Sequence, residues 1–122
     1  MLGAAPILYE DGGAIRDYVN IDDVVDANAL VLDNERAVGR VFNVGGSQAF
    51  TTREFADIVR RYYGSRQPGV VTGEYRLGDV RHIVASPEGA TRDLGFRART
   101  RFATGIAVFA RAPLREPALA KV

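Results

Sequence analysis

Hydrophobic and polar residues near the start of the chain follow the two-residue period of a strand. Residues 6–10 (PILYE) form a short apolar run that ends at Asp11-Gly12-Gly13, and residues 16–21 (RDYVNI) alternate between polar and apolar side chains. An Asp-Gly-Gly sequence is typical of a tight turn. We therefore predict two strands that pair as a hairpin across this turn.

The next segment changes to the helical period. Four apolar residues share one face at helical spacing: Val24, Ala27, Leu30 and Val31. Asp22 precedes them as the predicted N-cap, and the acid Asp23 suits the first turn of a helix. After this helix, residues 41–44 (VFNV) predict a buried strand that is closed by Gly45-Gly46.

A capping box marks the start of a second helix. Thr51 and Glu54 have the Thr-x-x-Glu spacing in which the side chain of each residue bonds the backbone amide of the other. The spacing predicts a helix over about residues 52–63 that stops at Gly64.

The rest of the chain predicts further short elements. They begin with a short strand at 70–72 and a loop with extended ends at 75–84. A helix from Ser86-Pro87-Glu88 to Leu94 stops at Gly95, and a last helix carries Phe102, Ile106 and Phe109. A frayed tail with prolines at 113 and 117 follows.

Strands and helices mix without a regular βαβ alternation. We expect an α/β fold of the mixed α+β kind, with one domain over residues 1–112 and a flexible tail over 113–122.

Composition narrows the class of protein. The chain has 122 residues, 47% of them hydrophobic, with a net charge of +1 and no cysteine, which excludes disulfides and Cys-based zinc sites. The balanced charge argues against nucleic-acid binding. Since no apolar run has membrane-span length and the start lacks the features of a signal peptide, we expect a cytoplasmic protein.

Several catalytic and cofactor motifs are absent from the sequence. It contains no G-x-G-x-x-G loop, no P-loop and no Tyr-x-x-x-Lys, and its one lysine is Lys121. The single histidine, His82, leaves little material for a metal site, and we interpret it as a loop residue. We therefore assign no catalytic, cofactor-binding or metal-binding residue.

Two arginine-containing segments are the positive signals. Arg16 opens a predicted strand, and Arg76 lies in the loop three residues before Asp79. A guanidinium group can hold a diphosphate by paired hydrogen bonds, and an aspartate can accept from ribose hydroxyls. From the residues alone two other interpretations stay open: Arg16 with Asp17 is a surface pair, and Arg76 with Asp79 ties a loop.

Five linked segments carry a resemblance to a known family. They are R-D-Y-V-N-I-D-D-V-V-D-A, V-F-N-V-G-G, T-x-R-E-F-A, Y-R-x-G-D-V-R-H and L-G-F, in this order from about Pro6 to Phe109. The chain resembles the C-terminal, substrate-binding part of extended short-chain dehydrogenase/reductases of the NAD-dependent epimerase/dehydratase family, and most of all the nucleotide-sugar 4-epimerases. The glycine-rich loop and the catalytic tyrosine and lysine of that family have no counterpart here.

The resemblance implies functions for particular residues. Arg16 and Arg76 would bind the diphosphate of a UDP- or dTDP-linked sugar from two sides, and Asp79 would bind the ribose. NAD would bind the full-length relative, which is expected to be a homodimer. This chain alone would bind no NAD and would be inactive. The chain would self-associate or require an N-terminal half. Two alternatives remain: a non-catalytic nucleotide-diphosphate-binding module, and an inactive truncated remnant.

Overall fold

Short strands are interleaved with helices in the computed structural model, which describes residues 5–46 and 48–113. In chain order the elements are β1 (Ile7–Leu8), β2 (Ile15–Asp17), α1 (Ile21–Leu32), a 3₁₀ turn (Glu35–Ala37), β3 (Ala49–Thr51), α2 (Thr52–Tyr62), β4 (Val70–Val71), β5 (His82–Ile83), α3 (Glu88–Leu94) and α4 (Phe102–Arg111). This mixture confirms the predicted fold class.

The strands pair over long distances in the sequence. β1 pairs in parallel with β4, and β2 lies between β3, which is antiparallel to it, and β5, which is parallel. The predicted hairpin of β1 with β2 is therefore wrong. At the turn between them Glu10 and Gly12 both have positive φ, 51° and 73°, and the chain leaves the first sheet for the second instead of folding back.

The helix starts follow local signals with two corrections. Thr51 and Glu54 form the predicted capping box of α2, and Gly64 follows its end with a φ of 66°. Helix α1 is capped by the side chain of Asn20, so the assignment of Asp22 as N-cap is wrong. In α3 the N-cap position is Pro87, one residue after Ser86, where the predicted helix begins.

A small core of three alanines, one leucine and one phenylalanine joins α1, the 3₁₀ turn and α3. Its buried members are Ala27, Ala37, Ala90, Leu94 and Phe96. The segment 41–44 is not a strand, contrary to prediction. Phe42 and Val44 instead pack against this core, so burial of their side chains accounts for the apolar pattern without a hydrogen-bonded ladder.

Aromatic rings form a second cluster between the three-stranded sheet and helices α2 and α4. The ring of Tyr18 stacks on Phe55 at 4.5 Å between centroids, and Phe50 stacks on Phe102 at 4.0 Å. Such pairs add about 0.5–1.5 kcal/mol to the effect of burial. This cluster places the end of β2 firmly against both helices.

Polar contacts hold two loops against the elements beside them: the loop before α4 and the Gly45-Gly46 turn. Asp23 is 3% exposed, and its carboxylate accepts from the amides of Arg99 and Thr100 at 2.9 and 3.1 Å. A Cβ on Gly45 would lie 2.4 Å from Asp17, and one on Gly46 would lie 2.3 Å from the carbonyl oxygen of Tyr18. The Gly-Gly pair is therefore needed for a close approach to β2.

Most of the predicted tail lies outside the described residues. Residues 114–122, which include Pro117, are not described. Within the described part, no helix is long and apolar enough to cross a bilayer.

Candidate functional site

Strand β2 places Arg16 beside the loop that precedes β5. Arg16 pairs with Ile83 in the parallel register, and its Nη1 donates to the carbonyl oxygens of Ile15 and Arg81 at 2.9 and 2.8 Å. Its Nη2 lies 3.4 Å from Oδ1 of Asp79. The guanidinium is thus held by backbone carbonyls and by one of the other two predicted site residues.

Arg16 does not pair with Asp17, so the interpretation of these two residues as a surface pair is wrong. The carboxylate of Asp17 instead accepts from the amide of Gly46 at 2.7 Å and from that of Ala85 at 3.4 Å. The two neighbours point to opposite sides of β2, as successive residues of a strand do.

Arg76 lies in the β4–β5 connection, where every residue from 70 to 84 is exposed. Its guanidinium carbon is 5.2 Å from the centroid of the Tyr9 ring, a cation–π distance. No carboxylate among the described residues forms an ion pair with Arg76. The amide of Asp79 donates to the carbonyl of Arg76 at 3.1 Å, and Gly78 supplies the positive φ of 83° that this turn requires.

An open cavity of about 500 Å³ lies over this loop. It is lined by Glu10, Asp11, Gly73, Tyr75, Arg76, Leu77, Gly78, Asp79 and Arg81. Arg76 and Asp79 therefore share one cavity. Arg16 does not line it but reaches its edge through the contact with Asp79.

The cavity also contains charged residues that the sequence interpretation missed. The guanidinium of Arg81 bonds the carboxylates of both Glu10 and Asp11, the second at 2.6 Å. The Arg81 guanidinium, with the Gly13 amide, lowers the pKa of Asp11 to about 2. The sequence predicts Asp11 only as a turn residue, because no local signal links it to an arginine 70 positions later.

A second, more apolar cavity of about 480 Å³ lies between the end of β2 and helix α4. Tyr18, Asn20, Ile21, Phe55, Phe102 and Phe109 are among the residues that line it. Burial raises the pKa of the Tyr18 hydroxyl, which the nearby Arg16 partly opposes. Ile21 and Phe109 remain 70% and 62% exposed, so this cavity is an uncovered apolar surface.

Two observations on the described part of the chain concern metal and phosphate binding. It contains no group of three or more histidine, cysteine, aspartate or glutamate side chains that could hold a metal ion. Nδ1 of His82 accepts from the amide of Ile15 at 3.2 Å. The amide of Gly46, which in a phosphate loop would face the ligand, is occupied by Asp17.

Comparison with known proteins finds matches to one family. Residues 1–45 match the NAD dependent epimerase/dehydratase family. The chain is 37% identical over 99 residues to the dTDP-L-rhamnose 4-epimerase of Burkholderia thailandensis, a match that covers 81% of this chain and 27% of that protein. In sequence and in fold the chain thus matches proteins of the NAD-dependent epimerase/dehydratase family.

Solved structures of nucleotide-sugar epimerases share its fold. The UDP-glucose 4-epimerase of Thermotoga maritima, solved with UDP-glucose, matches 88% of this chain and 34% of its own length at a TM-score of 0.81 and 28% identity. The UDP-glucose 4-epimerase of Thermus thermophilus, solved with NAD, matches 88% and 35% at a TM-score of 0.77 and 31% identity. The mixed α/β fold is thus that of Rossmann-type extended short-chain dehydrogenase/reductases over most of this chain.

The matches cover only part of each relative. The chain spans 27% of the length of the Burkholderia epimerase and 34–35% of the two solved epimerases. The activity, substrates and partners of those whole proteins are therefore considered for this chain as proposals.

Proposed function

We propose that this chain binds the nucleoside diphosphate of a UDP- or dTDP-linked sugar as the substrate-binding portion of an NAD-dependent epimerase or dehydratase. The observation that carries the proposal is that Arg76 and Asp79 line one open cavity and that Arg16 pairs with Asp79 at its edge. Arg16 and Asp79 are 63 positions apart in the chain, so this arrangement is a product of folding and not of sequence proximity.

The two arginines differ in how much of their hydrogen-bonding capacity is free. Arg16 already donates to two carbonyls and to Asp79, whereas Arg76 lies on the Tyr9 ring without an ion-pair partner among the described residues. A guanidinium group that is positioned but not neutralised is suited to a phosphate. We assign the larger share of diphosphate binding to Arg76, and to Arg16 a second contact and the placement of Asp79.

Asp79 supplies the acceptor that a nucleotide requires and a bare diphosphate does not. Its side chain is 48% exposed and faces the cavity that Arg76 lines. A carboxylate at this place would repel phosphate but accept hydrogen bonds from the two ribose hydroxyls of UDP, or from the single one of dTDP. The arrangement favours a nucleotide over inorganic pyrophosphate.

We assign the chemical step to residues other than those described here. Bound NAD would supply reversible hydride transfer with the sugar. The Gly46 amide, which could otherwise face a phosphate of NAD, is bonded to Asp17. What Arg16, Arg76 and Asp79 contribute is binding and orientation of the nucleotide end of the substrate.

The uncovered apolar surface supports a further part of this proposal. Phe109 and Val108 of α4 and Ile21 of α1 are more than 60% exposed and line one cavity. Apolar residues that are contiguous in this way mark a surface that packs against another protein unit. We propose that this surface contacts a dinucleotide-binding unit, and that the chain by itself associates through it.

Isothermal titration with UDP and dTDP tests the binding proposal. We expect Arg76→Ala to weaken binding of both nucleotides roughly tenfold or more, because a charge-assisted hydrogen bond contributes about 1.5–3 kcal/mol. Arg16→Ala should also weaken it. Arg97→Ala, which changes an exposed arginine that lines neither cavity, is the matched control. If Arg76→Ala and Arg16→Ala bind UDP as tightly as the unaltered chain, the site assignment is wrong.

A further inference from the structure

Arg81 connects the two walls of the nucleotide cavity. Its Nη1 bonds the carboxylate of Glu10, and its Nη2 lies 2.6 Å from Oδ2 of Asp11. Glu10 and Asp11 belong to the turn after β1, whereas Arg81 directly precedes β5. The side chain of Arg81 therefore holds together two segments that lie 70 residues apart in the chain.

The backbone of Arg81 touches the proposed site directly. Its carbonyl oxygen accepts from Nη1 of Arg16 at 2.8 Å. The next residue, His82, begins β5 and accepts from the amide of Ile15 at 3.2 Å. Any shift of Arg81 would consequently move a hydrogen-bond acceptor of Arg16 and the end of the loop that carries Asp79.

The turn that anchors Arg81 is itself fixed. The amide of Glu10, whose φ is 51°, donates to the carbonyl of Glu74 at 2.7 Å. Nη2 of Arg53, from helix α2, donates to the carbonyl of Asp11 at 2.9 Å, and the amide of Gly13 donates to Oδ1 of Asp11. A non-glycine residue keeps a positive φ only where its surroundings enforce it. Contacts to Glu74 and Arg53 thus hold the turn in place.

We propose that Arg81 is a positioning residue for nucleotide-diphosphate binding, and that Glu10 and Asp11 act through it. Together these three residues form a carboxylate latch that holds the 76–81 loop so that Arg76 and Asp79 face the ligand. This inference rests on the proposed function of the same cavity and adds residues to which no direct ligand contact is assigned.

Neutralising Glu10 and Asp11 distinguishes a latch from a simple charge effect, because the two predict opposite changes in UDP affinity. Glu10 and Asp11 are negative charges that line a cavity proposed to bind an anion. If they acted only through their charge, neutralising them would strengthen binding of UDP. Neutralising them would also strengthen binding if Arg81 bound the phosphate directly, because loss of the two carboxylates would free the Arg81 guanidinium for the ligand. If they act as a latch, neutralising them weakens binding.

The test is titration of the full chain with UDP. We expect the double variant Glu10→Gln/Asp11→Asn to bind UDP about three- to tenfold more weakly, as expected for loss of about 1 kcal/mol of loop ordering. Arg81→Gln should weaken binding similarly, and Arg81→Lys, which keeps the charge but can bond only one carboxylate well, should be intermediate. Combining Arg81→Gln with the double variant should add little more.

A second ion pair supplies the control. Arg92 is 70% exposed and pairs with Asp93 away from the cavity, so Arg92→Gln should leave the UDP affinity unchanged. Urea midpoints of all variants separate a loss of fold from a loss of binding. Unchanged or tighter binding by Glu10→Gln/Asp11→Asn, with Arg76→Ala still weakened, overturns the latch and leaves the proposed function standing.

If UDP does not bind the unaltered chain, the proposed function is overturned. Hydrogen exchange still tests the latch in that case. The amide of Asp79, which donates to the carbonyl of Arg76, then reports on the latch alone. Faster exchange of this amide in Arg81→Gln than in Arg92→Gln supports the latch, and equal exchange overturns it.

Discussion

The guanidinium of Arg16 and the carboxylate of Asp79 lie 3.4 Å apart, although 63 positions separate them in the chain. Each partner is only partly exposed, at 25% and 48% of its side chain. A pair at the surface contributes little to stability. Its consequence is instead for binding, because a ligand that reaches Arg16 meets an acceptor already placed beside it.

Replacing Asp79 should change ligand preference more than overall affinity. Asp79→Ala removes a charge that repels phosphate and an acceptor for the ribose hydroxyls. We expect the variant to bind inorganic pyrophosphate more tightly and UDP more weakly, so that the preference for UDP falls roughly tenfold. Titration of both ligands checks this, and an equal change for the two would contradict the assignment of Asp79 to the ribose.

The buried carboxylate of Asp23 should be important for folding. Asp23→Ala leaves the amides of Arg99 and Thr100 without their acceptor, and an unpaired buried polar group costs about 1–3 kcal/mol. Urea unfolding should show a lower midpoint. The neighbouring variant Asp22→Ala, at an exposed position of the same first turn, should lose less than about 1 kcal/mol. Equal losses in the two variants would contradict this role.

Two phenylalanines of helix α4 should respond in opposite ways. Phe102 is 9% exposed within the aromatic cluster, and Phe102→Ala should destabilise the fold by about 3–5 kcal/mol. Phe109 is 62% exposed, and Phe109→Ala should leave stability nearly unchanged while reducing self-association. Urea unfolding and sedimentation velocity measure the two effects. Self-association that is unaffected by Phe109→Ala would count against the proposed contact surface.

Two substitutions of Glu10 separate the energetic cost of its positive φ from the effect of its ion pair. Glu10→Gly and Glu10→Gln both remove the carboxylate that bonds Arg81. Only glycine also relieves the backbone, since a left-handed conformation costs other residues about 1–2 kcal/mol. We expect Glu10→Gly to be more stable than Glu10→Gln by about 1 kcal/mol in urea unfolding. The reverse order would show that this residue is not strained.

The contribution of Asp11 to the stability of the chain should be lost at low pH. The Arg81 guanidinium holds the pKa of Asp11 at about 2, below its ordinary 3.8, so the contribution of Asp11 is present above about pH 4 and lost as pH falls to about 2. Asp11→Asn should therefore have a lower urea midpoint than the unaltered chain at pH 5, and this difference should shrink toward pH 2. A difference that is constant with pH would contradict the ion pair. Asp26→Asn, at an exposed position of α1 without a described ion pair, is the control.

Local signals in the sequence determined the helices well. The capping box of Thr51 and Glu54 and the glycine stops at 64 and 95 each involve residues within a few positions of one another, so the interactions that form them are present in any short segment. The resemblance of five segments likewise pointed to the matching family and predicted Arg16, Arg76 and Asp79 as site residues. None of these signals depends on how distant parts of the chain meet.

Only the tertiary structure decided the strand partners and the shape of the site. The Asp-Gly-Gly turn predicted a hairpin locally, but β1 and β2 found better partners in β4 and β5, more than 60 residues away. Glu10 and Asp11 looked like turn residues until folding brought Arg81 to them. A helix satisfies its backbone within itself, whereas a strand or a binding cavity is completed by residues whose distance along the chain leaves no local pattern.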